Sequence, residues 1–533
     1  MLPAPTHRAM VAAAGCAALL AIALLARSPT LATLAVGGAM ALTVALTWTL
    51  PRAGQLRRER LEFAWWHGHG TGGAVTAGAP FSVRCYIRNR SDNAFELDAL
   101  YPSVPAGTQC VEGEGSRVHI PPRSRVDFEL TLTSVAAGRT VLQGLSVAVP
   151  GVMGLFESPL YFPNPLTVKV LPRASARPRA PGFITTGLPV ERAGQTLLRQ
   201  RGGGTELREL RELQPGDPFK AIAWKPSARR GKLLVREVER EVQETLYIVV
   251  DISGSMRGGQ PGRRKLDQAI EIATMKARDA LDRGDRVGII TVDGRIVSHV
   301  MPGEGIQQML RVYDALLRAT EIVDADLTAI DDDQIVQLVA RYMRRQEGVE
   351  LGRGGEVDEA DVAFHAQRTL AREGLRDDVV ASSPLQSTLR RYCRQRGLKL
   401  PYRAETRGFA KSAGLAEALM KAAGGTRMPR SIVVVSDLDS TDDVTSLERT
   451  LKLLRMHHHA VVFVWPEAEG RDEPQAGSPL RHQLQHVYGL QEARRLQAAR
   501  TLLGRLGIPV VVVGSDEPTA LVISRVGAMV RAA

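Results

Sequence analysis

The chain has 533 residues and a formal net charge of +12 at pH 7, with 44% hydrophobic and only 5% aromatic residues. That length predicts two to four domains. The arginines are scattered and no basic–aromatic stripe of the kind used by single-strand binders is present, so nucleic acid is not an expected partner; part of the positive charge is assigned to a membrane surface instead.

Two apolar segments open the chain, Ala9 to Ala26 and Leu31 to Leu50. Each is long enough to cross a hydrocarbon core of ~30 Å at ~1.5 Å per residue. The first alone would also fit a cleaved signal. With the second close behind it, and Arg27-Ser28-Pro29-Thr30 between them, residues 1–60 read as a transmembrane hairpin. Arg52, Arg57, Arg58 and Arg60 follow the second span, against Arg27 alone in the turn. The positive-inside rule then puts both ends and the soluble part in the cytoplasm, at the inner (cytoplasmic) membrane. The cysteines, Cys16, Cys85, Cys110 and Cys393, are few for the length, which fits a reducing compartment and leaves a Cys85–Cys110 bridge open.

Residues 61–171 alternate apolar and polar positions in short runs, such as Phe81 to Arg88 and Val126 to Thr133, separated by Gly and Pro clusters. They predict a small β-sandwich whose role is spacing or docking near the membrane. Residues 172–200 are basic and Pro-rich, a linker too poor in apolar residues to pack. In residues 201–244, Glu206, Arg208, Glu209, Arg211 and Glu212 alternate in sign as a solvated helix face would. Pro215-Gly216-Asp217-Pro218 signals a turn. Trp224 is a candidate buried anchor, and Trp224 and Arg229 are candidate partner-binding residues.

Residues 245–533 alternate strands and helices, predicting an α/β domain with a doubly wound parallel sheet and a helical insert at about 322–408. Its organising stretch is Leu246 to Met256, an apolar strand ending in Asp251, Ser253 and Ser255. Ligands of open α/β sheets gather at such carboxyl ends. A carboxylate and two hydroxyls at D-x-S-x-S spacing suit Mg²⁺ or Mn²⁺. The same residues would also serve as caps of a strand-to-helix turn. Asp437 follows a second apolar strand, Ser431 to Ser436, and can reach the same crevice; alternatively it caps a local turn. The insert opens with Asp324, Asp326 and Asp331 to Asp333, which lack calcium-loop spacing and read as a solvated helix start. The insert is expected to overhang the metal face, where it would select a partner or cover the site. His457, His458 and His459 read as surface residues.

The run LRELQPGDPFKAIAWKPSARRGKLLVREVE resembles the signature block of the family called domain of unknown function 58. The matching residues are Arg211-Glu212, Pro215-Gly216-Asp217, Ile222 with Trp224, Ala228-Arg229, Gly231 and Leu233. Leu213 and Ala223 depart from the pattern, standing where an aromatic and a polar residue are usual. The resemblance implies membrane spans, a β domain, and a von Willebrand factor A-like domain in which Asp251, Ser253, Ser255 and Asp437 form a metal-ion-dependent adhesion site. It also implies a threonine before the helix LAEALMKAA; Ala413 stands there in the simplest register, and Ser412 or Thr406 would have to substitute. The implied partner is a MoxR-type AAA+ ATPase, and the implied role is chaperone-like maturation or assembly of other proteins.

The expected function is thus a membrane-tethered, metal-dependent interaction module rather than an enzyme. The alternatives are a structural scaffold with a vacant metal site, or a hydrolase using Asp251 or Ser255 as nucleophile. For the hydrolase, the flanking residues do not give G-x-S-x-G, and no histidine stands near either strand end in the sequence.

Overall fold

The computed structural model describes residues 3–58, 61–67, 74–97, 99–115, 117–173, 197–214, 219–241, 243–349, 351–352, 357–373, 379–403, 409–424, 428–438, 445–467, 479–514 and 517–532. The chain divides into two compact units, Met1–Leu171 with Glu321–Arg403, and Pro172–Thr320 with Ala404–Ala533.

The first unit begins with two helices, α1 (His7–Leu25) and α2 (Pro29–Arg58). Thr6 caps α1, and Pro29 sits at the start of α2, where its missing N–H costs nothing. Over His7–Leu25 and Pro29–Leu50 both are long and apolar enough to cross a membrane by length and composition.

Two sheets follow. One runs in the order β1 (Leu61–His67), β2 (Pro80–Asn89), β5 (Arg125–Ser134), β4 (Thr108–Glu112). The other is built on β7 (Phe156–Leu171), β6 (Gly138–Pro150) and β3 (Ala99–Ser103). The pairings among these seven strands are antiparallel, and alternate residues turn inward, so Val83, Cys85 and Ile87 share one core with Leu130, Leu132, Leu145 and Val170. Cys85 and Cys110 lie on strands flanking β5, yet all four cysteines are free thiols.

The insert's helices Asp332–Tyr342, Glu359–Glu373 and Pro384–Arg396 have a core of their own around Ile335, Val339, Val362, Leu389 and Tyr392. They group with the β domain, although the insert interrupts the other unit in sequence. Gln143 Nε2 on β6 donates to the carbonyl of Arg396, and Gly397 packs on Val141 closely enough that a Cβ there would stand 2.7 Å away. The acidic start behaves as a helix start: Asp331 caps its helix by accepting from Gln334 N at 2.8 Å.

In the second unit, β8 (Leu197–Glu212) pairs antiparallel with β9 (Leu234–Glu241). The charged run at residues 206–212 is therefore strand, not the expected helix face, and residues 197–200 of the expected linker belong to the same strand. Register shifts on either side of Leu207 break the two-residue period, which explains why the pattern did not read as β. The turn expected at residues 215–218 lies outside the described residues. Between the strands, α3 (Trp224–Arg230) ends at Gly231, whose φ of 65° needs a glycine, and is tied to β9 by Ser227 Oγ, which accepts from Leu234 N at 2.9 Å.

Most sheets of the chain are antiparallel, but the largest in this unit is mainly parallel. Its order is β12 (Ile296–Gly303), β11 (Arg286–Val292), β10 (Thr245–Asp251), β13 (Ser431–Val435), β14 (Ala460–Pro466), β15 (Val510–Val513). Only the β11–β12 pairing is antiparallel. Leu246 to Asp251 are all buried, as an apolar central strand requires. On one face Tyr247, Val249 and Val434 pack with Leu415 and Leu419 of α6 (Phe409–Ala423) and Leu451 of α7 (Thr445–Met456). Helix α4 (Lys265–Asp282) also packs on β10, with Leu266, Ile270 and Ala273 buried, and α5 (Gly305–Ala319) packs on α4 and β11.

Candidate functional site

The carboxyl ends of β10 and β13, the neighbouring central strands, bring Asp251 and Asp437 into one crevice. Both are fully buried, as is Ser253, while Ser255 is partly exposed. After Asp251 the chain turns into a single helical turn, Gly254–Arg257. Asp251 Oδ1 accepts from Ser253 N at 3.0 Å, which fixes that turn, and its Oδ2 accepts from Ser436 Oγ at 2.6 Å. Ser255 Oγ donates to Asp437 Oδ1 at 2.9 Å and lies 3.3 Å from Ser253 Oγ. The four predicted ligand residues thus converge. Thr406 lies outside the described residues, and Ser412 is buried.

Two lysines not singled out from the sequence complete the cluster. Helix α6 begins at Phe409, earlier than the LAEALMKAA pattern suggested, so Lys411 lies in its first turn rather than in a preceding loop. Its ammonium donates to Asp251 Oδ2 at 2.8 Å, Asp437 Oδ1 at 2.5 Å and Ser255 Oγ at 2.8 Å. An ammonium has three N–H donors, and these acceptors use all of them. Lys265, at the start of α4, donates to Asp437 Oδ2 at 2.9 Å and Glu492 Oε1 at 2.5 Å, the latter on α8 (Pro479–Arg505). Asp267 holds the entry to α4 by accepting from Gly262 N and Arg264 N, and so presents Lys265 to the crevice.

The electrostatics are self-consistent. Burial would push the Lys411 ammonium down, but Asp251 and Asp437 beside it hold it well above the usual lysine range. Burial would likewise raise Asp437, but Lys411 and Lys265 hold it well below the usual carboxylate range. Lys265 is lowered by burial and raised further by Asp437 and Glu492, a net upward shift. These are charge-assisted bonds between largely buried groups, where leaving one partner unpaired is costly.

This arrangement does not fit a divalent cation. The acceptors expected to ligate metal, Asp251 Oδ2, Asp437 Oδ1 and Ser255 Oγ, already converge on one ammonium. Among the described residues, no group of three or more His, Cys, Asp or Glu side chains could hold a metal ion. Ser255 beside Lys411 also has the outline of a Ser–Lys nucleophilic pair. A lysine base must first shed its proton, and two adjacent carboxylates oppose that.

Elsewhere, Trp224 is 57% exposed, not the buried anchor expected. Its ring centroid lies 6.1 Å from that of Phe219, itself 76% exposed. Lys225, Arg229 and Arg230 are exposed on the same short helix. His457 and His458 are exposed, but His459 is buried and its Nδ1 accepts from Arg430 N at 3.1 Å, so the surface expectation fails for that residue. Its backbone N–H closes the end of α7 onto Leu454, which turns the side chain inward ahead of β14.

Residues 209–381 match the family described as "Protein of unknown function DUF58". The uncharacterized protein YeaD of Bacillus subtilis is 22% identical over 283 residues, covering 51% of this chain and 63% of that protein. The uncharacterized protein Rv1480 of Mycobacterium tuberculosis is 29% identical over 134 residues, covering 25% of this chain and 42% of that protein. The chain thus spans less than two thirds of either relative. Among solved structures, the SpRpn10 VWA domain aligns over 54% of this chain and 94% of its own, with 9% identity and a TM-score of 0.23.

Proposed function

We propose that this chain, which over residues 209–381 belongs to the family described as "Protein of unknown function DUF58", is a membrane-tethered, non-enzymatic protein-interaction module. The observation that carries the reading is the aromatic pair Phe219 and Trp224, left on the surface inside the matched segment. Exposed aromatics next to basic side chains are the usual composition of an interface centre. Lys225, Arg229 and Arg230 would favour an acidic partner surface. The sequence resemblance supplies the partner class, a MoxR-type AAA+ ATPase, and the chaperone-like role in maturing or assembling other proteins.

The mainly parallel sheet, with Asp251, Ser253 and Ser255 at its carboxyl edge, supports a doubly wound, von Willebrand factor A-like assignment for this domain. The α1–α2 hairpin would tether the chain to the inner membrane, and the arginines after α2 favour a cytoplasmic soluble part. The resemblance implies a metal-dependent form of this module; the placement of Lys411 favours a metal-free one.

The test is binding of the full chain, in lipid nanodiscs, to a MoxR-type ATPase from the same cell. Trp224→Ala should weaken binding about thirtyfold, as a hot-spot aromatic does. No binding by the wild type sinks the partner assignment. Equal binding by wild type and variant sinks the aromatic surface.

A further inference from the structure

We infer that Lys411 is a built-in replacement for the divalent cation of this crevice: the site is closed by an intramolecular ammonium and becomes a Mg²⁺ or Mn²⁺ site only when that ammonium is removed. The inference concerns the domain of the proposed interaction module, but it rests on the crevice geometry alone and does not depend on any partner.

Three observations carry it. First, the Lys411 ammonium contacts an oxygen of each carboxylate and the Ser255 hydroxyl at 2.5–2.8 Å, the oxygens a cation at this strand edge would take. Second, Lys411 is only 4% exposed and is fixed in the first turn of α6, so the ammonium belongs to the fold rather than to a surface side chain that swings in. Third, Lys411 and Lys265 already offset the two buried carboxylates, Asp251 and Asp437, and only the partly exposed Glu492 is in excess. A divalent ion added among them would meet two fixed positive groups at short range. Removing Lys411 leaves the carboxylates of Asp251 and Asp437 and the hydroxyls of Ser253 and Ser255 with Lys265 as their one close cation among the described residues, an oxygen set with excess negative charge that suits a small hard cation.

The chemistry differs from that of a metal site. Magnesium has open coordination positions and can take an acidic side chain from a partner. The Lys411 ammonium has no donor left over. Asp251, Ser253 and Asp437 are fully buried behind it. The crevice therefore ties α6, β10 and β13 together instead of capturing an external carboxylate, and contacts made by this domain are insensitive to chelators.

The test is Mn²⁺ binding to the full chain in detergent, followed by electron paramagnetic resonance of free Mn²⁺, with no partner present. Wild type should show no saturable site. Lys411→Ala should bind one Mn²⁺ per chain at least about a hundredfold more tightly than wild type, because a like charge at contact distance is gone. Adding Asp251→Asn to Lys411→Ala should abolish that binding, and Lys411→Arg should stay blind to metal. Saturable Mn²⁺ binding by the wild type that Asp251→Asn removes would overturn the inference. So would a folded Lys411→Ala that gains no site. If Lys411→Ala does not fold, the wild-type titration decides alone. Because this readout needs no partner and leaves Trp224 untouched, it can fail while the interaction reading stands, and the reverse.

Discussion

Lys411 donates to Asp251 Oδ2 at 2.8 Å with both side chains almost wholly buried, so the first turn of α6 is locked to the tip of the central strand β10. A buried ion pair of this kind is worth little against an apolar substitute, but breaking it from one side is expensive. Lys411→Met leaves Asp251 and Asp437 facing each other without their shared cation. It should destabilise this unit by about 3–5 kcal/mol. Combining it with Asp251→Asn removes one of the stranded charges and should return part of that loss. Denaturant unfolding of the two singles and the double forms a mutant cycle, and strictly additive losses would show that the contact is not energetically coupled.

The oxygen half of this cluster was legible in the sequence and the nitrogen half was not. Asp251 and Asp437 each end an apolar run, and a strand that leaves the core must place its next polar residue at the sheet edge. Lys411 gave no such signal. It lies among polar and small residues ahead of the periodic part of its helix, where the family pattern places a threonine oxygen at the position of Ala413, and the structure starts the helix before Lys411. Two buried carboxylates with one weak ligand position still implied a missing positive charge, and Lys265 and Lys411, each near a helix start, were the cations to weigh. The charged run at Glu206–Glu212 failed for another reason. Its register shifts remove the two-residue period by which a strand is recognised, and alternating charge alone suits either element. The family block was legible as a motif, and two of its residues, Ile222 and Gly231, are local requirements of one strand–helix–strand turn, whereas the Ser227 contact to Leu234 that ties this turn together gave no signal in the pattern.

The pH dependence of stability separates two groups. Asp437 titrates below the usual carboxylate range, so its contribution is present above about pH 4 and is lost as pH falls below that. His459 acts nearer neutrality. Burial, then Arg430 and His457, push its imidazole below the usual histidine value. The unfolded chain then binds the proton first, and stability falls as pH drops through about 6.5. Protonation would also cost the Nδ1 acceptor that holds Arg430 N. Melting temperatures taken between about pH 5.5 and 7.5 should decline on the acid side in wild type and decline less in His459→Gln. Parallel curves would assign the decline to another group.

Trp224 offers a contrast between stability and binding. The residue is more than half exposed and its ring lies 6.1 Å from that of Phe219, while the fold of α3 rests on Ser227 and Gly231. Trp224→Ala should therefore change stability by no more than about 0.5 kcal/mol, as surface substitutions do. Ser227→Ala breaks two buried hydrogen bonds, to Ala223 O and from Leu234 N, and should cost about 1–3 kcal/mol. If the two variants lose similar stability in thermal melts, Trp224 is a packing residue after all, and the proposed interface loses its anchor.

Gly414 sets how closely α6 can approach the β11–β12 turn. A Cβ on it would stand 2.5 Å from the carbonyl oxygen of Asp293 and 2.9 Å from the backbone of Gly294, neither of which can rotate away. Gly414 lies one helical turn beyond Lys411, so an outward shift of α6 there also draws the Lys411 ammonium back from Asp251 and Asp437. Alanine normally favours a helix over glycine by about 1 kcal/mol. Here the sign should reverse, with Gly414→Ala costing about 1–3 kcal/mol from overpacking and the weakened ion pairs. Gly424 is a poor control because its φ is positive, whereas exposed Ala413→Gly in the same turn should cost about the ordinary 1 kcal/mol. Thermal melts of the two variants decide the matter: a stabilising Gly414→Ala would mean that the helix can move without loss, and that the lysine contacts tolerate more slack than their distances imply.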